Sequence, residues 1–198
     1  MSTTTVSPSG QTVCRYLGDL IAVHTHVGEA VARHAKDERV FRIANGRAVM
    51  ERADAVLKKH LEELEAYAKT SGGVGAMGMI KEAITSMTGF VTGLYGTIRG
   101  EAASRMFRDD YTGISFVMIC TQMLHTTARA VGEVTISAML LRHMEELAEV
   151  IMEINGVLPY AVMADLGTDG EPIMNPHAGE EAAREQTQAW KFASHVNK

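Results

Sequence analysis

The chain has 198 residues, 46% of them hydrophobic and 22% charged, with a formal net charge of -5. That length holds one domain whose core needs no covalent staple, and the composition excludes a disordered chain. The negative balance leaves no basic field, which excludes nucleic acid as the main partner.

The N-terminus, Met1 to Pro8, has no basic start and no apolar run. No signal peptide is expected, and the expected location is cytoplasmic. Cys14 and Cys120 fall inside apolar helical patterns and read as two buried thiols of a reducing compartment. The longest uncharged stretches, 83–98 and 113–128, are shorter than the ~20 apolar residues of a membrane span and carry Gly or Thr. No membrane partner is expected.

A first helix is predicted from about Gly10 to Lys36. Val13, Leu17, Leu20, His24, Val27 and Val31 follow one another at spacings of three and four, the seam of a bundle helix. Lys36 to Arg39 read as a turn and Asn45-Gly46 as a break. A second helix runs to about Thr70, with Met50, Ala53 or Asp54, Leu57, His60 or Leu61, and Leu64 on its seam. Ser71-Gly72-Gly73 ends it.

The segment from about 78 to 99 predicts an inserted helix, with Ile80, Ile84, Met87, Val91, Leu94 and Ile98 on one stripe. Gly89, Gly93, Gly96 and Gly100 line another face, suited to close approach of a second backbone. Glu101 to Met106 read as a separate short turn. A third core helix, introduced by Arg108 to Tyr111, runs to about Val131, with Ile114, Val117 or Met118, Thr121, Leu124 or His125, and Ala128 inward. Gly132 breaks the pattern. A fourth helix, about Val134 to Asn155, carries Ile136, Leu140, His143, Leu147, Val150 and Ile154, and Asn155-Gly156 and Pro159 are expected to stop it. The bundle is thus expected over residues 10–165. Residues 166–198 form a C-terminal extension with a short helix near Glu180 to Phe192, whose Trp190 docks on the bundle or on a second subunit.

Two stretches match across the halves: Leu57-Lys58-Lys59-His60-Leu61-Glu62-Glu63-Leu64 and Leu140-Leu141-Arg142-His143-Met144-Glu145-Glu146-Leu147. At about 100° per residue, each His lies at the edge of its seam and the Glu three residues on faces the rim or water. Lys59 to Glu63 and Arg142 to Glu146 are spaced for solvated i,i+4 pairs. A di-metal site in a bundle takes a carboxylate and a histidine at i and i+3, both inward. Here Leu57 and Leu140 hold the carboxylate seats. Counted along straight helices, His24 and His60 fall ~12 Å apart in height, which argues against one shared site. If metal binds, the best ligand set is His24, Asp54, His60 and His143, with His125 a further histidine near the seam. No GxSxG, P-loop, CxxC or HExxH pattern occurs.

The chain resembles the ferritin-like superfamily, and more closely the small bacterial stress-associated ferritin-like proteins. Tyr16 to Val23, Ile80 to Ala83, Arg108 to Thr112 and Leu124 to Thr127 carry the resemblance, together with the tandem hairpins. It implies an all-α, antiparallel four-helix bundle. Family members with a di-iron or di-manganese centre place Glu on helices one and three and Glu-x-x-His on two and four. His60 and His143 match the His places, whereas His24, Leu57 and Leu140 depart from the acidic ones. The expectation is a non-enzymatic stress-associated or interaction protein, with a homodimer as its partner form and no cofactor. The alternative is a metal-binding oxidoreductase or iron-handling protein using iron, manganese or zinc.

Overall fold

The computed structural model describes residues 8–71 and 102–196. Among these residues there are six helices and no strand. They are α1 (Pro8–His34), α2 (Glu38–Phe41), α3 (Gly46–Ser71), α4 (Ala103–Ala130), α5 (Val134–Thr168) and α6 (Ala178–Val196). The expected inserted helix at 78–99, with its glycine face, lies outside the described residues.

Four long helices form the core, and each packs on two others: α1 on α3 and α4, α5 on α3 and α4. The seams predicted from spacing are the buried faces. Val13, Leu17, Leu20, Val27 and Val31 of α1 are buried, as are Met50, Leu57 and Leu64 of α3, Ile114, Val117 and Leu124 of α4, and Ile136, Leu140, Leu147 and Ile154 of α5.

Directions follow from the cross-helix pairs. His34, at the end of α1, binds Asp110 near the start of α4. Lys59 of α3 binds Glu146 of α5, while Arg52, two turns earlier, binds Glu149 and Glu153. Both neighbouring pairs are therefore antiparallel. Since α1 and α3 are also antiparallel, α3 and α4 run the same way, so the end of α3 and the start of α4 lie at opposite ends of the bundle.

Two tight links set the register. Between α1 and α3, Asp37 caps α2, accepting from the Arg39 amide at 2.9 Å, and Val40 and Ile43 plug into the core. Gly46 opens α3 where a Cβ would lie 2.6 Å from the Val40 carbonyl oxygen, so only glycine fits. Between α4 and α5, Gly132 adopts φ +81 and the Glu133 amide donates back to the Ala128 carbonyl at 2.9 Å. This is a left-handed cap that ends one helix and lets the next turn back.

Two expectations are corrected. Residues 103–106 are the first turn of α4, where Asp165 accepts from the Ala103 and Ser104 amides at 2.9 and 2.8 Å. A carboxylate supplied from another helix does the capping, which local sequence does not reveal. Likewise α5 does not stop at Asn155-Gly156 or Pro159 but continues to Thr168. An internal proline costs ~3 kcal/mol through its lost N–H and its clash with the preceding turn. Burial of Val157 and Ala161 in the core, and of the opposite face under α6, offsets that cost. There Gly179 sits against Met163 and the Pro159 carbonyl, and Gln186 donates to Asn155. Trp190 of α6 stays 45% exposed.

Two glycine substitutions should move stability in opposite directions. Around Gly132 and Gly156 an added Cβ would meet nothing within 4 Å, so backbone conformation decides the sign. Gly132→Ala must hold a left-handed φ and should cost about 1 kcal/mol. Gly156→Ala, in an exposed helix interior, should add up to ~1 kcal/mol. Urea unfolding measures both, and shifts of the same sign would contradict this account of the α4–α5 turn.

Candidate functional site: a buried histidine layer

The apolar core comes in two parts. One holds Val23, Val27, Leu57, Val117, Leu147 and Val150, the other Leu17, Leu20, Leu64, Leu124 and Leu140. At the boundary each long helix contributes one buried polar residue: His24 from α1, His60 from α3, Thr121 from α4 and His143 from α5.

The rings of His60 and His143 stack, with centroids 3.8 Å apart and planes within 9°. His24 meets His60 edge-on at 5.9 Å. The expected 12 Å separation of His24 and His60 is thereby corrected. The link of residues 35–45 consumes chain without adding height, so α3 starts only at Gly46. Counted from the observed helix ends, the two histidines differ by only ~6 Å in height.

Each stacked imidazole donates to a carboxylate on the opposite helix. His60 Nε2 bonds Glu146 Oε2 at 2.8 Å, and His143 Nε2 bonds Glu63 Oε2 at 2.7 Å. The basic residue before each histidine completes the cross: Lys59 Nζ reaches Glu146 at 2.5 Å and Arg142 Nη2 reaches Glu63 at 2.5 Å. The two Leu-x-x-His-x-x-Glu turns are related by a local pseudo-twofold axis through the stack. The predicted i,i+4 pairs, Lys59 with Glu63 and Arg142 with Glu146, are replaced by these interhelical ones. Rim positions on close-packed antiparallel helices face the neighbouring helix before they face water.

The bonding fixes the tautomers. A carboxylate or carbonyl oxygen can only accept, so Nε2 carries the proton in His60 and His143. In His24 it is Nδ1, which donates to the Leu20 carbonyl at 3.1 Å. The remaining lone pairs, on His24 Nε2, His60 Nδ1 and His143 Nδ1, are buried without a partner among the described residues. Each costs on the order of 1–3 kcal/mol relative to a satisfied acceptor.

Burial keeps the rings neutral. It pushes His24 down to about 3, with the His60 ring adding to the effect, and His60 down to about 4, helped by His143. Burial also lowers His143. Burial works the other way on the carboxylates, but hydrogen bonds from Lys59 and His60 outweigh it and hold Glu146 at about 2. Bonds from His143 and Arg142 likewise lower Glu63. A carboxylate neighbour favours a charged imidazole while burial opposes it. Burial prevails because both rings are 0% exposed, whereas the carboxylates keep some water and a full cation each.

Of the residues proposed as metal ligands, His24, His60 and His143 come together and Asp54 does not. Asp54 lies six residues before His60, ~9 Å along α3, and its Oδ2 takes Lys58 Nζ at 2.5 Å. His125 is also elsewhere, with Nδ1 donating to the Ser137 carbonyl at 2.9 Å. Among the described residues no group of three or more His, Cys, Asp or Glu side chains is disposed to hold a metal ion. Imidazole lone pairs lie in the ring plane, and a metal sits ~2.0–2.1 Å from each nitrogen. Two near-parallel rings 3.8 Å apart cannot aim both lone pairs at one such point.

The sequence reading missed Glu63, Glu146 and Thr121. The usable signal was the repeat itself: a cation, a histidine and a glutamate at matching places in both stretches. No protein-family model, curated protein or solved structure matches the chain.

The layer should make the fold acid-labile. An imidazole held below its unfolded value of 6.5 binds its proton more tightly in the unfolded chain. Its share of stability is complete above pH 6.5 and is lost as pH falls towards about 4 for His60 and about 3 for His24. The maximum slope is ~1.4 kcal/mol per pH unit per histidine. Denaturant unfolding of wild type and of a His60→Leu, His143→Leu double variant between pH 7 and 4.5 separates this from other carboxylates. The variant should show a clearly shallower decline, and an unchanged slope would refute the assignment.

Proposed function

We propose that this chain is a ferritin-like bundle that works without a metal centre, as a non-enzymatic interaction protein. The observation that carries the reading is the composition of the central layer. Where a ferritin-like di-metal site needs inward carboxylates, this layer presents His24, Thr121 and a closed imidazole stack, with Leu57 and Leu140 buried in the adjacent seats. Its two nearby glutamates are already neutralised by Lys59, Arg142 and two imidazole N–H groups. The antiparallel hairpins, with α3 and α4 running the same way, support the ferritin-like arrangement.

The interaction role rests on the outer side of α5. Val134, Leu141, Ala148 and Met152 fall within ~40° of one another on that helix, and all are exposed. Farther along, α6 packs on the same stripe around Pro159 and Met163. A surface that accepts one amphipathic helix over half its length suits a second helical partner over the rest, and a homodimer is the simplest form.

A second reading has its own observation. Each imidazole donates one N–H to a carboxylate or carbonyl and keeps one buried lone pair without a partner among the described residues, the pattern of histidines prepared for a transition metal. Rotation of one ring out of the stack would make it a ligand for iron, manganese or zinc.

Incubation of the untagged protein with each metal, followed by desalting and elemental analysis, decides between the two. The first reading expects no stoichiometric metal. Stoichiometric metal in wild type, lost in His24→Ala or His143→Ala, establishes the second. Light scattering on wild type and Leu141→Glu tests the interaction face. A dimer reduced to monomer is the expected result, and an identical mass for both proteins would count against it.

A further inference from the structure

A cavity of about 390 Å³ lies at the pole of the bundle away from the α4–α5 turn, between α2, the start of α4 and the end of α5. Three arginines from two separate segments line it: Arg39 in α2 and Arg42 at its end, and Arg105 in the first turn of α4. Arg39 is held in a bidentate pair by Asp37, at 2.9 and 2.7 Å. Arg42 and Arg105 are exposed and meet no carboxylate within 4 Å among the described residues.

The cavity's own carboxylates, Asp165 and Asp169, form no ion pair with Arg42 or Arg105 among the described residues. Asp165 has both oxygens committed to the Ala103 and Ser104 amides, so the helix terminus is already capped from within the protein. Asp169 is the remaining one. With Arg39 paired to Asp37, Arg42 and Arg105 bring two guanidinium groups without a carboxylate partner among the described residues to one concave site. Like charges repel there unless an anion bridges them, and forked guanidinium donors fit phosphate oxygens. Ala102 and Ala164, both partly exposed, give the wall a small apolar portion suited to a few carbon atoms.

The geometry points to this cavity as a binding site for a small phosphomonoester, its phosphate bridging Arg42 and Arg105 with Arg39 fixed behind them. Inorganic phosphate engages the same groups, and a short carbon body adds contact with the apolar wall. The site is independent of the histidine layer, so it holds whether or not the bundle takes a metal.

Calorimetric titration of the full chain with glycerol 3-phosphate, inorganic phosphate and acetate tests it. Saturable binding is expected for both phosphates, with acetate weaker by about tenfold or more. Arg42→Glu and Arg105→Glu should each weaken phosphate binding about tenfold, whereas Arg184→Glu on α6, with the same change in net charge, should leave it unchanged. Asp169→Asn removes the opposing charge and should tighten binding severalfold, a gain that misfolding cannot mimic. Absence of saturable binding, equal binding of acetate, or equal weakening by the Arg184 variant would overturn the assignment.

Discussion

The crossed imidazole–carboxylate pairs between α3 and α5 are the constraint around which the fold is arranged. Each histidine supplies its Nε2 proton to the opposite helix, and the cation beside that histidine reaches the same carboxylate. The arrangement works at only one relative height of α3 and α5, because a slip of one turn would part both histidines from both glutamates. It therefore fixes register in a way that the flanking leucines, interchangeable along a seam, cannot. Apolar contacts supply most of the stability, and the polar layer selects which apolar packing forms.

This selection has a cost. Three imidazole lone pairs are buried without a donor, and two rings are forced to remain neutral beside carboxylates that would prefer them charged. Much of that expense falls inside one layer, between the two apolar regions. The same separation explains why the histidines share a low affinity for protons: apolar side chains above and below exclude the water that would solvate an imidazolium. The carboxylates escape that fate because they lie at the rim.

Parts of this could be read from the chain alone. The seams at Val13 to Val31 and Leu140 to Ile154 emerged from spacing, and so did the break at Gly132, because each depends on residues within a turn or two. Leu57 and Leu140 could be placed in the inward seats by angle alone. The Asp165 cap on α4 and the passage of α5 through Pro159 could not, since both are decided by another helix.

The sequence by itself determined the helices, their buried faces and the matching turns at His60 and His143, because helical periodicity is a local property of the backbone. Only the tertiary structure decided that His24, His60, Thr121 and His143 share one layer, and that Glu63 and Glu146 cross over rather than pair within their own helices. Height between helices depends on how much chain a link absorbs, and the link around α2 absorbs enough to bring the His24 and His60 rings into edge contact. The choice of partner at a helix rim depends on how closely a neighbour approaches, a distance that no spacing within one helix contains.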